Sequence, residues 1–285
     1  MKLIVEPDEG LRPLIAAVKR ARRRIHIVIF RFDLEELEEA LAKAVKRGID
    51  VVALIAHTNK GGELSLRKLE QRMLKKGVTV NRTDDDMVRY HGKLLIVDRS
   101  AAYLLGFNYT EQDLESRSFG VITRSTRIVK ELLRLFESDA CRTEYTPRVR
   151  DLVISPENAR SRLYTFLRKA RQTLDIYDPK VADDEMLQLL EKKASQGVRI
   201  RIIGTLEKKW ERAGFAAVQK LRNHRLHVRA IVRDGRRAFI GSQSLRKLEL
   251  DERREVGIVI RDRKVVRKVE KVFNDDWKRA VRKKK

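Results

Sequence analysis

His91-Gly92-Lys93-Leu94-Leu95-Ile96-Val97-Asp98 is written a second time, 136 residues later, as His227-Val228-Arg229-Ala230-Ile231-Val232-Arg233-Asp234. Both copies read histidine, any residue, a cation, four further residues and aspartate. Seventeen residues beyond each histidine stands a small polar side chain, Asn108 or Ser244. The alternation His91, Lys93, Leu95, Val97 predicts a strand with histidine and lysine on one face. Imidazole is the side chain whose ordinary pKa lets it both attack and carry protons near neutrality. A histidine with a fixed cation, presented twice, is a constellation suited to a phosphate diester.

The duplication extends well beyond the motif. Residues 40–55 (ALAKAVKRGIDVVALI) match 189–204 (LLEKKASQGVRIRIIG) at an offset of 149, fixed by Gly48 and Gly197. Residues 132–142 (LLRLFESDACR) match 269–279 (VEKVFNDDWKR) at an offset of 137. The first half therefore carries 13 extra residues, placed in the polar stretch 57–69 with Gly61-Gly62. Each half predicts the same series of elements. A helix (7–23, 156–171) is followed by a strand (25–30, 174–177) and an amphipathic helix closed by glycine (34–46, 183–195). An aliphatic strand (51–55, 198–203), a helix (66–76, 215–222) and the histidine strand come next. Two more strands (102–105 and 119–123, 238–240 and 256–260) and a closing helix complete the half. Strands alternating with helices imply an α/β fold, a tandem pseudo-twofold repeat of mixed sheets flanked by helices. The join is expected within 142–155, giving domains 1–147 and 148–285.

The chain has 285 residues, 42% hydrophobic, enough to bury a core. Its net charge is +24, of which +5 falls in residues 1–147 and +19 in 148–285. Such an excess points to a polyanionic partner, nucleic acid or an anionic phospholipid surface. The single cysteine, Cys141, excludes an internal disulfide and a cysteine-based metal site. The N-terminal stretch does not read as a signal peptide and no apolar run has the length of a membrane span. The expected location is cytoplasmic or peripheral to a membrane.

The two motifs resemble the HxKxxxxD signature of the phospholipase D superfamily, together with its downstream GSxN element. That element reads Gly241-Ser242-Gln243-Ser244 in the second half and Gly106-Phe107-Asn108 in the first. The resemblance covers essentially the whole chain and implies a phosphodiesterase with its site between the halves. It implies His91 as nucleophile, through a phosphohistidine, and His227 as acid and base. Lys93 and Arg229 would hold the phosphate charge, with Asn108 and Ser244 adding neutral hydrogen bonds. Glu255, eleven residues after Ser244, matches the carboxylate that orients the nucleophile. In the first half Ser118 stands at that place and would hold His227 more weakly. Ser242 and Tyr90 are further candidates for substrate contact, and Phe107 and Tyr109 for stacking on bases. Asp98 and Asp234 are expected to brace the fold. The sequence departs from the family at Arg229, where lysine is usual, and at Ser244, where asparagine is usual. A planar fork does not take the place of a point charge.

No metal or other cofactor is implied, because two fixed cations can neutralise the phosphate. A monomer is sufficient and no protein partner is required. Basic runs at 19–24 and 278–285 read as solvated faces or phosphate-tracking surfaces. Three functions remain open: a nuclease, favoured by the charge; a phospholipase D or cardiolipin-synthase-like transphosphatidylase on anionic lipid; and a phosphate-binding scaffold without turnover.

Overall fold

The computed structural model describes residues 1–58 and 62–281. The middle of the expected insertion at 57–69 and the end of the basic run at 278–285 lie outside the described residues. The first half runs β1 (Lys2–Glu6), α1 (Arg12–Arg20), β2 (Arg24–Ile29), α2 (Glu35–Lys46), β3 (Asp50–Ile55), α3 (Gly62–Lys75), β4 (Thr79–Arg82), β5 (Arg89–Tyr90), β6 (Leu94–Val97), β7 (Ala101–Leu105), α4 (Glu111–Leu114), β8 (Ser118–Thr123) and α5 (Thr126–Cys141). The second half runs β9 (Leu152–Ser155), α6 (Ala159–Arg168), β10 (Thr173–Val181), α7 (Asp184–Ser195), β11 (Arg199–Leu206), α8 (Lys208–Arg212), β12 (Ala217–Gln219), β13 (Arg229–Arg233), β14 (Arg237–Gly241), α9 (Lys247–Asp251), β15 (Arg253–Ile260) and α10 (Arg263–Val281).

Each half forms one mixed sheet. The first has the order β1-β8-β7-β6-β2-β3-β4, and the second repeats it as β9-β15-β14-β13-β10-β11-β12, with β5 of the first half also paired to β15. The parallel pairs β2–β3 and β10–β11 are bridged by the amphipathic helices α2 and α7, as a parallel crossover requires. The aspartates that close the motifs hold the chain where it enters β2 and β10. Asp98 accepts backbone N–H bonds from Arg22, Arg23 and Arg24, and Asp234 from Arg171, Gln172 and Thr173. They brace the strand ends remote from the histidines.

Sequence periodicity misses several details. The edge strands β1 and β9 precede the first helix of each half, where LIVE and LVIS are too short to signal a strand against the adjacent helical pattern. Residues 215–222 are not helical. Ala217–Gln219 forms β12, parallel to β11, while the short α8 lies upstream. A brief apolar run does not distinguish a strand from a helix. His91 and Lys93 lie just before β6, and His227 just before β13; the Lys93 carbonyl still accepts from the Leu105 N–H of β7 at 3.0 Å.

One central core joins the halves. The inner faces of both sheets, with Val28, Leu94 and Tyr177 among them, pack on α5 and α10 through Phe136 and Phe273. Phe119 of the first half meets Tyr177 of the second edge-on at 5.6 Å, and Tyr177 meets Phe273 at 4.9 Å. Such pairs add about 0.5–1.5 kcal/mol each beyond area burial. Gly106 is crowded from both sides: a Cβ there would stand 2.9 Å from the Phe119 carbonyl oxygen of its own sheet and 3.2 Å from the Gly241 carbonyl oxygen of the other half.

Two ion pairs cross this interface in a twofold-related way. Arg117, just before β8, forks onto Asp276 of α10, Nε to Oδ2 at 2.8 Å and Nη2 to Oδ1 at 3.2 Å, and Tyr177 donates to the same carboxylate. Arg254 of β15 donates to Asp139 of α5 at 3.1 Å. Each arginine also caps an edge strand, Arg117 at the Glu6 carbonyl and Arg254 at the Ser155 carbonyl. Removing one partner of a buried pair leaves the other charge uncompensated. Asp276→Ala is therefore expected to destabilise the chain by about 3–5 kcal/mol, read as a lowered urea midpoint; an unchanged midpoint contradicts the clamp.

Candidate active site between the two halves

Each histidine is delivered by the backbone of the opposite half. His91 N–H donates to the Arg254 carbonyl at 2.8 Å, next to the parallel pairing of β5 with β15. His227 N–H donates to the Arg117 carbonyl at 3.1 Å, beside the bridge of Arg117 with Leu226. The ion-paired arginines of the interface thus hold the motif backbones with their own main chain.

His91 is buried and its Nδ1 lies 2.9 Å from both oxygens of Glu255. A carboxylate accepts, so Nδ1 carries the proton and Nε2 keeps its lone pair. Lys93 Nζ stands 2.9 Å from His91 Nε2, and the Phe30 ring packs edge-on against the imidazole at 4.5 Å. Burial, then the charges of Lys93 and Arg229, hold the His91 imidazole well below its usual range. Burial pushes Lys93 down to about 7 despite the opposing charge of Glu255. Burial likewise raises Glu255 above the ordinary carboxylate range, outweighing Lys93 and a hydrogen bond from Ser242. Charges from both halves act on Lys93, since Glu255, Arg229, Asp113 and Glu249 all shift its proton affinity.

The second histidine has a carboxylate beside it where the sequence suggests Ser118. Ser118 is fully buried, faces Glu6 across β1–β8 and leaves its Oγ without a hydrogen-bond partner. The carboxylate near His227 is Asp113, with Oδ2 at 3.3 Å from Nδ1. Burial raises the Asp113 carboxyl, but the His227 charge and hydrogen bonds from Arg225 and Asn108 outweigh it and hold it below the ordinary range. Burial and the Arg229 charge hold His227 well below its usual range. Asp113 follows Asn108 by five residues, and Glu249 follows Ser244 by five. Both accept the backbone N–H of that residue at 2.7 Å. This repeated spacing was the available sequence signal for Asp113.

Other candidates take roles different from those the sequence suggests. The Asn108 amide donates to Asp113 at 2.6 Å, so its donor braces a carboxylate. Ser242 is fully buried, bonds the Val256 backbone and supports Glu255, with no exposed surface for substrate. Tyr90 is buried beside Phe30 and donates to Asp86 at 2.7 Å; Phe107 and Tyr109 are wholly buried. None of the three offers an open ring for a base. The two departures in the second half fit one another: Arg229 Nε donates to Ser244 Oγ at 3.3 Å and Nη1 to the His227 carbonyl at 2.8 Å. The shorter serine makes room for the longer arginine. Among the described residues no group of three His, Cys, Asp or Glu side chains has the arrangement of a metal site, and no helix is long and apolar enough to cross a membrane.

Comparison with known proteins agrees with this architecture. The family profile described as cardiolipin synthase, phospholipase D-like domain matches residues 14–140 and 163–277. The chain belongs to this family of the phospholipase D superfamily and is a phosphodiester-acting enzyme. It is 20% identical to cardiolipin synthase 1 of Bacillus anthracis over 98% of this chain and 67% of that protein. Its fold is similar to that of phosphatidylserine synthase from Haemophilus influenzae Rd KW20, with a TM-score of 0.75, 12% identity and coverage of 98% of this chain and 86% of the other. Polyphosphate kinase from Porphyromonas gingivalis superposes with a TM-score of 0.78 at 19% identity over 97% of this chain. The chain spans 50% of the length of that kinase.

Two outcomes test the geometry. Arg229→Lys and Ser244→Asn are each expected to lower kcat/KM, and the double variant to recover part of the loss. The coupling should be about 0.5–3 kcal/mol, as for residues in contact, and strict additivity contradicts the pairing. The pH profile follows from the shifts. Lys93 loses its charge as pH rises through about 7, and His227 loses its proton below its usual range. If Lys93 must be charged and His227 protonated, kcat/KM peaks on the acid side of neutrality and falls above it; a profile still rising through pH 8 contradicts this.

Proposed function

We propose that the chain cleaves phosphodiesters of nucleic acid through a phosphohistidine on His91. The observation that carries the chemistry is the buried His91 imidazole, its Nδ1 at 2.9 Å from Glu255 and its Nε2 at 2.9 Å from Lys93 Nζ. His91 Nε2 attacks phosphorus, forming the N–P bond as the bond to the leaving oxygen breaks. His227 gives that oxygen its proton. It then takes a proton from water, whose oxygen attacks phosphorus and breaks the N–P bond, restoring His91. Lys93 and the Arg229 fork neutralise the non-bridging oxygens. Glu255 keeps the His91 ring in register through its hydrogen bond to Nδ1, and Asp113 stands beside His227 as a counter-charge. Nucleic acid is favoured as substrate by the net charge of +24 and its concentration in the second half.

A second reading, transfer at a phospholipid headgroup, is favoured by the names of the cardiolipin synthase and phosphatidylserine synthase relatives. It is also favoured by two exposed apolar side chains at the histidine end of the first sheet, Val88 in the loop before β5 and Leu64 at the start of α3. An interfacial enzyme uses such side chains to reach lipid. The reading of the site as a phosphate-binding scaffold has no comparable support.

One panel separates these readings. Single-stranded DNA, duplex DNA, RNA, phosphatidylcholine and phosphatidylglycerol are offered to the wild type and to His91→Ala. Cleavage of nucleic acid alone, lost in His91→Ala by at least ~10³-fold as for a nucleophile, is the expected result. Turnover of lipid alone overturns the nucleic-acid assignment, and wild-type activity in His91→Ala overturns the mechanism. Activity is expected to survive EDTA, since Lys93 and Arg229 supply the charge.

A further inference from the structure

A basic groove of about 630 Å³ lies on the second half, at the strand ends opposite the histidines. Arg168, Lys169 and Arg171 line it from the end of α6, Arg233, Arg236 and Arg237 from the β13–β14 turn, and Lys193 from α7. Its one carboxylate, Asp234, is occupied by three backbone N–H groups. Asp234 also forms the only ion pair these cations make among the described residues, with Arg233 at 4.0 Å. A second groove of about 430 Å³ shares Lys169, Arg233 and Arg237 and adds Arg150, Arg162 and Arg261. The Asp151 carboxylate there is already bonded by Arg127 and Arg261. Burial, and then the charges of Arg237 and Arg261 against that of Asp234, lower the proton affinity of Arg233, as in a surface crowded with cations.

The repeat supplies an internal control. The same turn in the first half, between β6 and β7, keeps the bracing aspartate and has one cation, Arg99, in place of Gly235, but has Val97, Ser100 and Ala101 where the second half has Arg233, Arg236 and Arg237. Arg233 is also tied to α6, donating to the Phe166 carbonyl at 2.9 Å and lying over the Phe166 ring at 4.7 Å, whereas the first-half turn forms with serine and alanine in place of Arg236 and Arg237. Mutual repulsion of unpaired cations is unfavourable unless an anion relieves it.

We propose that this groove is a nucleic-acid backbone site, separate from the reacting centre. It extends the nucleic-acid reading of the active site to the flanking phosphates. Asp234 lies seven residues beyond His227, a separation of roughly 23 Å along an extended chain. A bilayer lying on the groove would face the end of the sheet away from the histidines. A polynucleotide can reach both places, because phosphates repeat along its whole length. The groove offers no exposed aromatic or aliphatic side chain for insertion into lipid, since Phe166 is buried. Guanidinium forks are suited to backbone phosphates and carry no sequence preference.

The test gives the turn its first-half residues, R236S/R237A, in a His91→Ala background so that binding is read without turnover. The probes are a single strand of about 30 nucleotides, long enough to span ~23 Å, and vesicles of phosphatidylglycerol. The expected result is a ~10-fold weaker Kd for the strand at 0.1 M salt, with a log–log salt slope shallower by about 1.4 for two lost phosphate contacts. R236K/R237K should retain most of the binding. With His91 intact, R236S/R237A should hydrolyse a small nitrophenyl diester at the wild-type rate. Unchanged strand affinity overturns the proposal, as does a loss confined to the vesicles, which would make the groove a membrane contact. An equal loss in R236K/R237K, or a fall in small-diester hydrolysis, also overturns it, by showing that the arginines are structural. Because binding is measured without turnover, a groove that binds DNA stands even if lipid proves to be the substrate.

Discussion

The catalytic geometry depends on a crossed pair of main-chain hydrogen bonds. His91 N–H reaches the Arg254 carbonyl and His227 N–H reaches the Arg117 carbonyl, each across the interface between halves. Neither half completes its own histidine site, because the orienting carboxylate also comes from across the interface: Glu255 serves His91 and Asp113 lies beside His227. The carbonyls are held because the same arginines are ion-paired to the closing helices, Arg117 to Asp276 and Arg254 to Asp139. A buried guanidinium requires several acceptors, and these find them in a carboxylate and an edge-strand carbonyl. Packing of the shared core and placement of the imidazoles are thus one constraint.

Burial also sets the electrostatics. Two imidazoles, a lysine and two carboxylates lie within a nearly dry space, so every charge is costly until a phosphate arrives. Desolvation keeps both histidines neutral near pH 7 and brings Lys93 close to losing its proton. A diester placed between Lys93 and Arg229 would favour the cationic forms of Lys93 and His227, which the chemistry needs. The charge of a bound diester would thereby favour the protonation states that the proposed mechanism uses.

Much of this was legible in the sequence. The tandem α/β repeat follows from three aligned blocks, and the pairing of His91 with Glu255 follows from the family spacing. The bracing role of Asp98 and Asp234 also follows from their position at the ends of the histidine strands. Other features were hidden for physical reasons. Asp113 and Arg254 act through tertiary partners more than a hundred residues away, and a single sequence does not display such contacts. Their repeat spacing, Asp113 with Glu249 and Arg117 with Arg254, was present but had no chemistry attached to it. Tyr90, Phe107 and Tyr109 read equally well as stacking platforms or as core, and only burial separates the two. Arg229 and Ser244 read as two departures until their side chains are seen to meet.

The most direct test of the central claim is to trap the covalent intermediate. A diester with a nitrophenyl leaving group, which departs without a proton donor, is mixed with the His227→Ala variant, quenched in alkaline denaturant and examined by peptide mass spectrometry. The account predicts a phosphoryl adduct on His91 that builds up because the base for its hydrolysis is gone, and no adduct in His91→Ala. Nitrophenol release by His227→Ala with an unmodified His91, or an adduct that persists in His91→Ala, would contradict it.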